Sequence, residues 1–375
     1  MRKMSREYAQ AGVDYTKAEI FRKAMQAVGK RTLHFPNKRG VFVDEETVGA
    51  HGAVFEYRGP HSHSWVQTNE GLGNKNWISE WMHQYAGTGR SYYEGIGIDT
   101  MLAAGNDIIA QGAMPVIYTD EVAANSYDWG TDELRSNDLA ESFYRACEIC
   151  GVALPAGESS ALRYLVRAES PVVSAPVLSG CMVGIIAPKE RKITGRKLQV
   201  GDRIIGVKSS GLHINGISLV IKRALSLPEK FLTKLPNGNT LGEEALIPTR
   251  PYVALTESLL EENVDIRAFL PGTGSGVGKI AFDKRPFSYR IHSWFDEIPP
   301  LFLFMRELGV TIKDCLTTFN WGSGYYIFVP PHEVERTIDI GKRADYELFE
   351  LGQVEKGPRR VIFEPEKIIL PPPGE

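Results

Sequence analysis

Asp99, Asn106 and Asp107 stand in residues 96–112, IGIDTMLAAGNDIIAQG, among side chains too small to fill a core. Carboxylate and amide oxygens in such a setting could meet a phosphate with its metal ion, because magnesium takes hard oxygen donors. At about 100° per residue, Asp99, Ala103 and Asn106 share one helix face and Asp107 lies about 80° further round. Ala103, Ala104 and Gly105 on that side would let a bulky group approach the backbone. A surface helix with polar caps has the same composition, so the rest of the chain has to decide.

Further chemistry-bearing stretches follow. Glu70-Gly71-Leu72-Gly73-Asn74-Lys75 combines an acid, permissive glycines whose N–H groups can converge on an anion, and a lysine. Glu158 follows an apolar stretch in AGES. Lys208-Ser209-Ser210-Gly211-Leu212-His213-Ile214-Asn215-Gly216 runs from a strand into a helix. Unpaired N–H groups and the helix dipole make such a loop an anion site, and a capped helix start would read the same way. Arg250 sits at the mouth of a helix after the Pro248–Pro251 turn, where a cation suits a phosphate. Residues 269–279, FLPGTGSGVGK, invite a dinucleotide or P-loop reading and fail both spacings, with Ile280 where a P-loop needs Ser or Thr. A backbone-donor loop or a plain turn remains. Asn320 lies in TFNWGSG, just before the apolar run 325–330.

The elements that must position these residues alternate between strand and helix. Strands are expected at 65–68, 115–120, 177–187, 202–207 and 325–330, with helices at 96–112, 134–150, 217–225 and beyond the 248–251 turn. The charged stretch 188–197, PKERKITGRK, is the expected interdomain linker, dividing the chain into 1–188 and 189–375. The fold class is α/β (α+β), in two unequal halves.

Composition excludes several functions. With 43% hydrophobic and 24% charged residues the chain is an ordinary globular protein. A net charge of −3 and the lack of a basic run give no field for nucleic acid. The longest apolar stretch, near 178–187, is too short to span a membrane. Four cysteines in 375 residues point to reduced thiols in a cytoplasmic protein. Cys147 and Cys150 form a CxxC without a second one to complete a zinc site, and are expected to be packing thiols. His61 and His63 lack a third ligand and read as loop residues.

Taken in order, GIDTMLAAGNDIIAQGA, AGES, KSSGLHINGISL, IPTR, IPPLFLFMRELG and TFNWGSG resemble aminoimidazole ribonucleotide synthetase, the phosphoribosylformylglycinamidine cyclo-ligase family, over nearly the whole chain. YAQAGVD and GAHGAVF fit too. The resemblance implies an N-terminal ATP-binding domain that pairs with its copy to build a dimeric β-barrel, and a C-terminal α/β substrate domain. It implies ATP and magnesium, a small-molecule nucleotide substrate and a homodimer. Carried over by motif, Glu70, Asp99, Asp107 and Glu158 become metal ligands. Glu70, Gly71, Gly73, Lys75, Asn106 and Asp107 become ATP-site residues. Ser209, Ser210, Gly211, Arg250 and Asn320 become substrate contacts, and His213, Asn215 and Asp99 the catalytic set, with His213 a proton handler or phosphate donor. Such an enzyme phosphorylates the formyl oxygen of formylglycinamidine ribonucleotide and closes the imidazole ring.

The departures are specific. The family's DGVGTK is EGLGNK here, GGET is AGES, and HITGGG becomes FLPGTGSG, which loses a histidine and a threonine where substrate should bind. Two alternatives follow from them. One is a paralogue that spends ATP on another small molecule; the other is a non-catalytic nucleotide-binding subunit.

Overall fold

The computed structural model describes residues 6–10, 13–48 and 52–374. Ala11 and Gly12 of YAQAGVD, and Gly49 to His51 of GAHGAVF, lie outside them. The chain forms two compact units, one holding the described residues up to Gly105 with Pro115–Ile185, the other Asn106–Met114 and the residues from Ile186 onward.

In the first unit, helix α1 (Tyr15–Thr32) starts on an Asp14 cap that accepts the Thr16 N–H. Strand β1 (Ser64–Gly71) alternates between half-buried and exposed positions along its length, as a strand with one covered face must. Helix α2 (Lys75–Tyr85), helix α3 (Ile96–Ile108), strand β2 (Met114–Ala124), helix α4 (Glu133–Cys150), strand β3 (Ala153–Ala161) and strand β4 (Val177–Ile186) follow. The four strands form one sheet in the order β1-β4-β2-β3. β2 and β3 run parallel, with Asp120 opposite Gly157 and Glu121 opposite Glu158. α4 begins on the Asp132 side chain, which accepts the Arg135 N–H, and ends at Gly151 with φ 67°, the left-handed cap that glycine adopts without strain.

The small-residue stretch of α3 is packed, not open. Ala103, Ala104 and Asp99 are buried, and a Cβ on Gly97 would lie 2.5 Å from the Phe143 nitrogen of α4. This corrects the expectation that a ligand reaches the backbone there: the small side chains serve close packing.

The second unit carries strand β5 (Arg203–Lys208), helix α5 (Ile217–Leu225), helix α6 (Val253–Glu261), strand β6 (Ala268–Pro271), strand β7 (Phe287–Ile291), helices α7 (Pro300–Glu307) and α8 (Ile312–Thr318), strand β8 (Ser323–Val329), helix α9 (Val334–Arg343) and strands β9 (Leu348–Lys356), β10 (Arg360–Phe363) and β11 (Ile368–Leu370). They build a seven-stranded sheet ordered β11-β10-β7-β9-β5-β8-β6. Every pairing is antiparallel except β10 with β7. β8 is buried at every position, as an interior strand covered on both faces requires, and Tyr325, Tyr326 and Phe328 put its bulk into the core.

Candidate functional site

In the first unit the end of β1 holds Glu70 half-buried, and the turn after it puts Gly73 in the left-handed region at φ 71°, with open space where a side chain would project. Lys75 opens α2 and goes inward. Its ammonium meets the Asp99 carboxylate of α3 at 2.8 Å, and both side chains are fully buried. Burial pulls the Lys75 ammonium below its ordinary pKa, and the Asp99 carboxylate opposes that pull. The lysine expected to reach a phosphate and the acid expected to hold a metal are thus bound to each other.

Glu158 is exposed on β3, where its carboxylate accepts from the Ser160 hydroxyl at 3.2 Å. Among the described residues no group of three or more His, Cys, Asp or Glu side chains is placed to hold a metal ion. Glu70, Asp99, Asp107 and Glu158 are therefore not gathered into a ready-made cage. The donor chemistry at Glu70 and Glu158 still suits magnesium, which binds through one or two carboxylates when nucleotide phosphates supply the other oxygens.

Sequence reasoning found the strand at 115–120 but passed over Asp120 at its end. Period-two alternation puts Asp120 on the face of the buried Tyr118, a signal that was there to use. Burial, with the Glu158 charge adding to it, pushes the Asp120 carboxyl up to about 7. Cys147 and Cys150 are buried free thiols, and burial pushes Cys150 up to about 12, which suits packing and not redox chemistry.

The second unit brings Asn106, Ser209, Ser210, His213, Arg250 and Asn320 into one hydrogen-bonded cluster. His213 is buried at a left-handed φ of 58°. Its Nε2 accepts backbone N–H groups from Ser210 at 3.3 Å and Arg250 at 3.4 Å. Asn320 donates to the Gly211 carbonyl at 2.8 Å and accepts from the Gly322 N–H at 2.9 Å and the Ser209 hydroxyl at 3.2 Å. The Ser210 hydroxyl donates to the Pro248 carbonyl at 2.6 Å. Asn106 clamps the arginine turn from both ends: its amide donates to the Arg250 carbonyl and accepts the Tyr252 N–H, each at 3.0 Å. A Cβ on Gly324 would lie 2.6 Å from His213 Cε1 and 1.9 Å from the Tyr252 hydroxyl, so the bare glycine is required.

What this cluster leaves for a ligand is limited. The Arg250 guanidinium donates to the Asp345 carbonyl at 2.6 Å and lies 4.9 Å from the Tyr346 ring centre. Asn215 is half-buried with its Oδ1 lacking a hydrogen-bond partner. It stands beside the 271–276 loop, its Nδ2 being 3.9 Å from a Cβ built on Gly274. The Thr273 hydroxyl of that loop accepts from the Lys279 ammonium. Gly272 and Gly276 sit where a Cβ would strike the Ser323 and Leu316 carbonyl oxygens at 2.4 and 2.5 Å. These glycines serve close backbone crossings, which accounts for a glycine pattern that matched neither phosphate-loop spacing.

Comparison with known proteins decides the family. Residues 49–186 match the N-terminal domain of AIR synthase related proteins, and residues 199–364 match the C-terminal domain. The phosphoribosylformylglycinamidine cyclo-ligase of Pyrococcus horikoshii is 31% identical over 362 residues, covering 96% of each chain. The chain belongs to the aminoimidazole ribonucleotide synthetase (phosphoribosylformylglycinamidine cyclo-ligase) family. The Syntrophus aciditrophicus relative of the same name is 30% identical over 95% of this chain and 97% of its own. Solved structures share the fold at lower identity. A thiamine-monophosphate kinase from Stenotrophomonas maltophilia has a TM-score of 0.60 at 18% identity, covering 90% of this chain and 96% of its own. Hydrogenase maturation protein HypE in complex with ATP has a TM-score of 0.55 at 16% identity, covering 86% and 87%. Within the family frame, the loop that departs from HITGGG places Phe269 in the core, 5.8 Å from the Tyr325 ring.

Proposed function

We propose that the protein catalyses the ATP-dependent closure of formylglycinamidine ribonucleotide to aminoimidazole ribonucleotide, a step of purine synthesis. The observation that carries this reading is the match to cyclo-ligases across 96% of both chains. The formyl oxygen takes the γ-phosphoryl group of ATP and ADP leaves. The amidine nitrogen then attacks the same carbon and expels phosphate. Catalysis of this kind is positioning and charge stabilisation.

In this reading residues 1–188 form the ATP-binding and dimerisation domain and 189–375 the substrate domain. Gly71 and Gly73 offer N–H groups to phosphate oxygens. Glu70 and Glu158 would hold magnesium, which when bound neutralises charge on the transferring group. Lys75 and Asp99 act as an internal ion pair that fixes the start of α2 against α3. Arg250, Asn215 and the Ser209–Gly211 loop face substrate, while His213, Asn106 and Asn320 hold those loops in place. β1 is an edge strand, which fits a homodimer whose sheets close into a barrel. No helix among the described residues is long and apolar enough to cross a membrane, and a cytoplasmic location accords with purine synthesis.

The test is direct: incubate the purified protein with ATP, magnesium and formylglycinamidine ribonucleotide, and detect aminoimidazole ribonucleotide by mass spectrometry. A second reading, a paralogue acting on another small molecule, rests on Phe269 and Pro271 standing in for a histidine and a threonine. ATP binding without that product would favour it.

A further inference from the structure

The charged stretch 188–197 has a definite shape in the second unit, because its backbone is held from two sides. The Ile193 N–H donates to the Gln111 carbonyl at 3.0 Å. The Arg285 guanidinium, gripped by the Asp283 carboxylate at 2.6 and 2.9 Å, donates to the carbonyls of Gly195 at 2.8 Å, Leu198 at 2.9 Å and Arg196 at 3.3 Å. The turn is thereby sorted. Its carbonyls are spent on Arg285, while among the described residues the N–H groups of 194–197 donate to no backbone carbonyl. Gly195 has φ 74°, and unpaired N–H groups around a left-handed turn residue form a concavity that suits an anion.

A groove of about 460 Å3 separates this turn from the end of α6 and the residues leading into β6. Its size falls in the range of small-molecule sites. Arg191, Lys192, Arg196, Lys197 and Arg267 line it, against the two acids Glu190 and Asp265. Asp265 is already countered, by Lys197 at 3.8 Å and Arg267 at 3.4 Å. Among the described residues Arg191, Lys192 and Arg196 form no ion pair, which leaves three cations against Glu190. No aromatic side chain lines the groove, so a nucleobase has nothing to stack on.

We propose that this groove binds a dianionic phosphate group, free or as the monoester of a small non-aromatic molecule, with its oxygens on the 194–197 N–H groups and its charge met by Arg191, Lys192 and Arg196. Hydrogen bonds from such donors to a phosphate are charge-assisted and stronger than neutral ones. The groove shares no residue with the loops assigned above to ATP and substrate, so its occupant is a ligand additional to both.

Calorimetric titration of the full-length protein with inorganic phosphate and with glycerol 3-phosphate tests this, at low ionic strength because salt screens exposed cations. A saturating non-hydrolysable ATP analogue is present throughout, so that the nucleotide site is filled. At least one probe is expected to bind; tighter binding of inorganic phosphate identifies a free anion, and tighter binding of glycerol 3-phosphate a monoester. Lys192→Gln combined with Arg196→Gln should weaken that probe about tenfold or more. Both side chains are exposed, so the double variant should unfold at the wild-type denaturant concentration, and Lys192→Arg with Arg196→Lys should keep most of the affinity. No binding of either probe beside the ATP analogue, or unchanged affinity in the double glutamine variant, would overturn the proposal.

Discussion

The buried polar residues at the candidate sites of the two units act in opposite ways. In the second unit, His213, Asn106, Asn320 and Ser210 spend their hydrogen bonds on backbone groups of neighbouring loops. In the first, the residues in question are ionisable: Lys75 faces Asp99, and Asp120 has an oxygen with no partner. Neutral amides and an imidazole can satisfy backbone donors and acceptors together, so they build loops. A charge cannot be buried without a counter-charge, a ligand or a change of protonation. A residue that recurs in a motif is therefore not by that fact a ligand contact, and the two units call for different experiments.

The largest effect should come from the ion pair. Asp99→Asn leaves the Lys75 ammonium buried without its counter-charge, and an expected loss of about 3–5 kcal/mol follows in denaturant unfolding. Lys75→Met combined with Asp99→Leu should regain most of it, because apolar side chains of similar volume replace buried ion pairs at little net cost. If the single variant is as stable as the wild type, the first unit does not depend on buried charge and the contrast fails.

Asp120 gives the next effect, and its sign is fixed. The folded carboxyl sits near 7 against an ordinary 3.8, so the native state holds a proton that the unfolded chain releases. Its stabilising contribution is complete below about pH 4 and is lost as pH rises through about 7, with an upper bound of about 4 kcal/mol. Asp120→Asn should flatten the pH dependence of stability between those limits. An unchanged slope would show that the carboxyl is not buried as described.

His213 sharpens the comparison from the other side. Its Nε2 lone pair is engaged by two backbone N–H groups, so it is expected to position loops and not to carry protons. His213→Gln, which keeps an acceptor near that place, should retain most activity and the wild-type pH profile of kcat/KM. His213→Ala should lower stability by about 1–3 kcal/mol, the cost of leaving buried donors unsatisfied. Loss of one limb of the pH profile in the glutamine variant would restore the proton-handling role.

Much of this fold was legible in the sequence because pattern and punctuation agreed. The helix expected at 217–225 is Ile217–Leu225, and the apolar run at 177–187 is the strand Val177–Ile186. The prolines at 248 and 251 correctly placed the start of α6 at Val253. No strand is expected over AGES, yet it lies inside β3, because a strand at a sheet edge needs no apolar run. The site was legible as a set of residues and not as a set of roles. Spacing in α3 could group Asp99 with Asn106, but nothing local indicates that the first meets Lys75 and the second meets the backbone of Arg250 and Tyr252. Asp120 was missed because a lone acid at the end of an apolar strand reads as a boundary.

The smallest expected effect on stability belongs to Asn215, and there the contrast between the units can break. It is a motif amide of the second unit, yet its Oδ1 has no partner, unlike those of Asn106 and Asn320. An amide that built a loop would lower stability when removed. An acceptor already unsatisfied in the folded state forfeits nothing, so Asn215→Ala should change stability by no more than about 0.5 kcal/mol, in either direction. If the oxygen faces substrate, kcat/KM for formylglycinamidine ribonucleotide should fall about tenfold, the worth of one good hydrogen bond to a bound ligand. A loss of stability with unchanged kinetics would make Asn215 one more loop-building amide and leave the second unit without a polar side chain held ready for substrate.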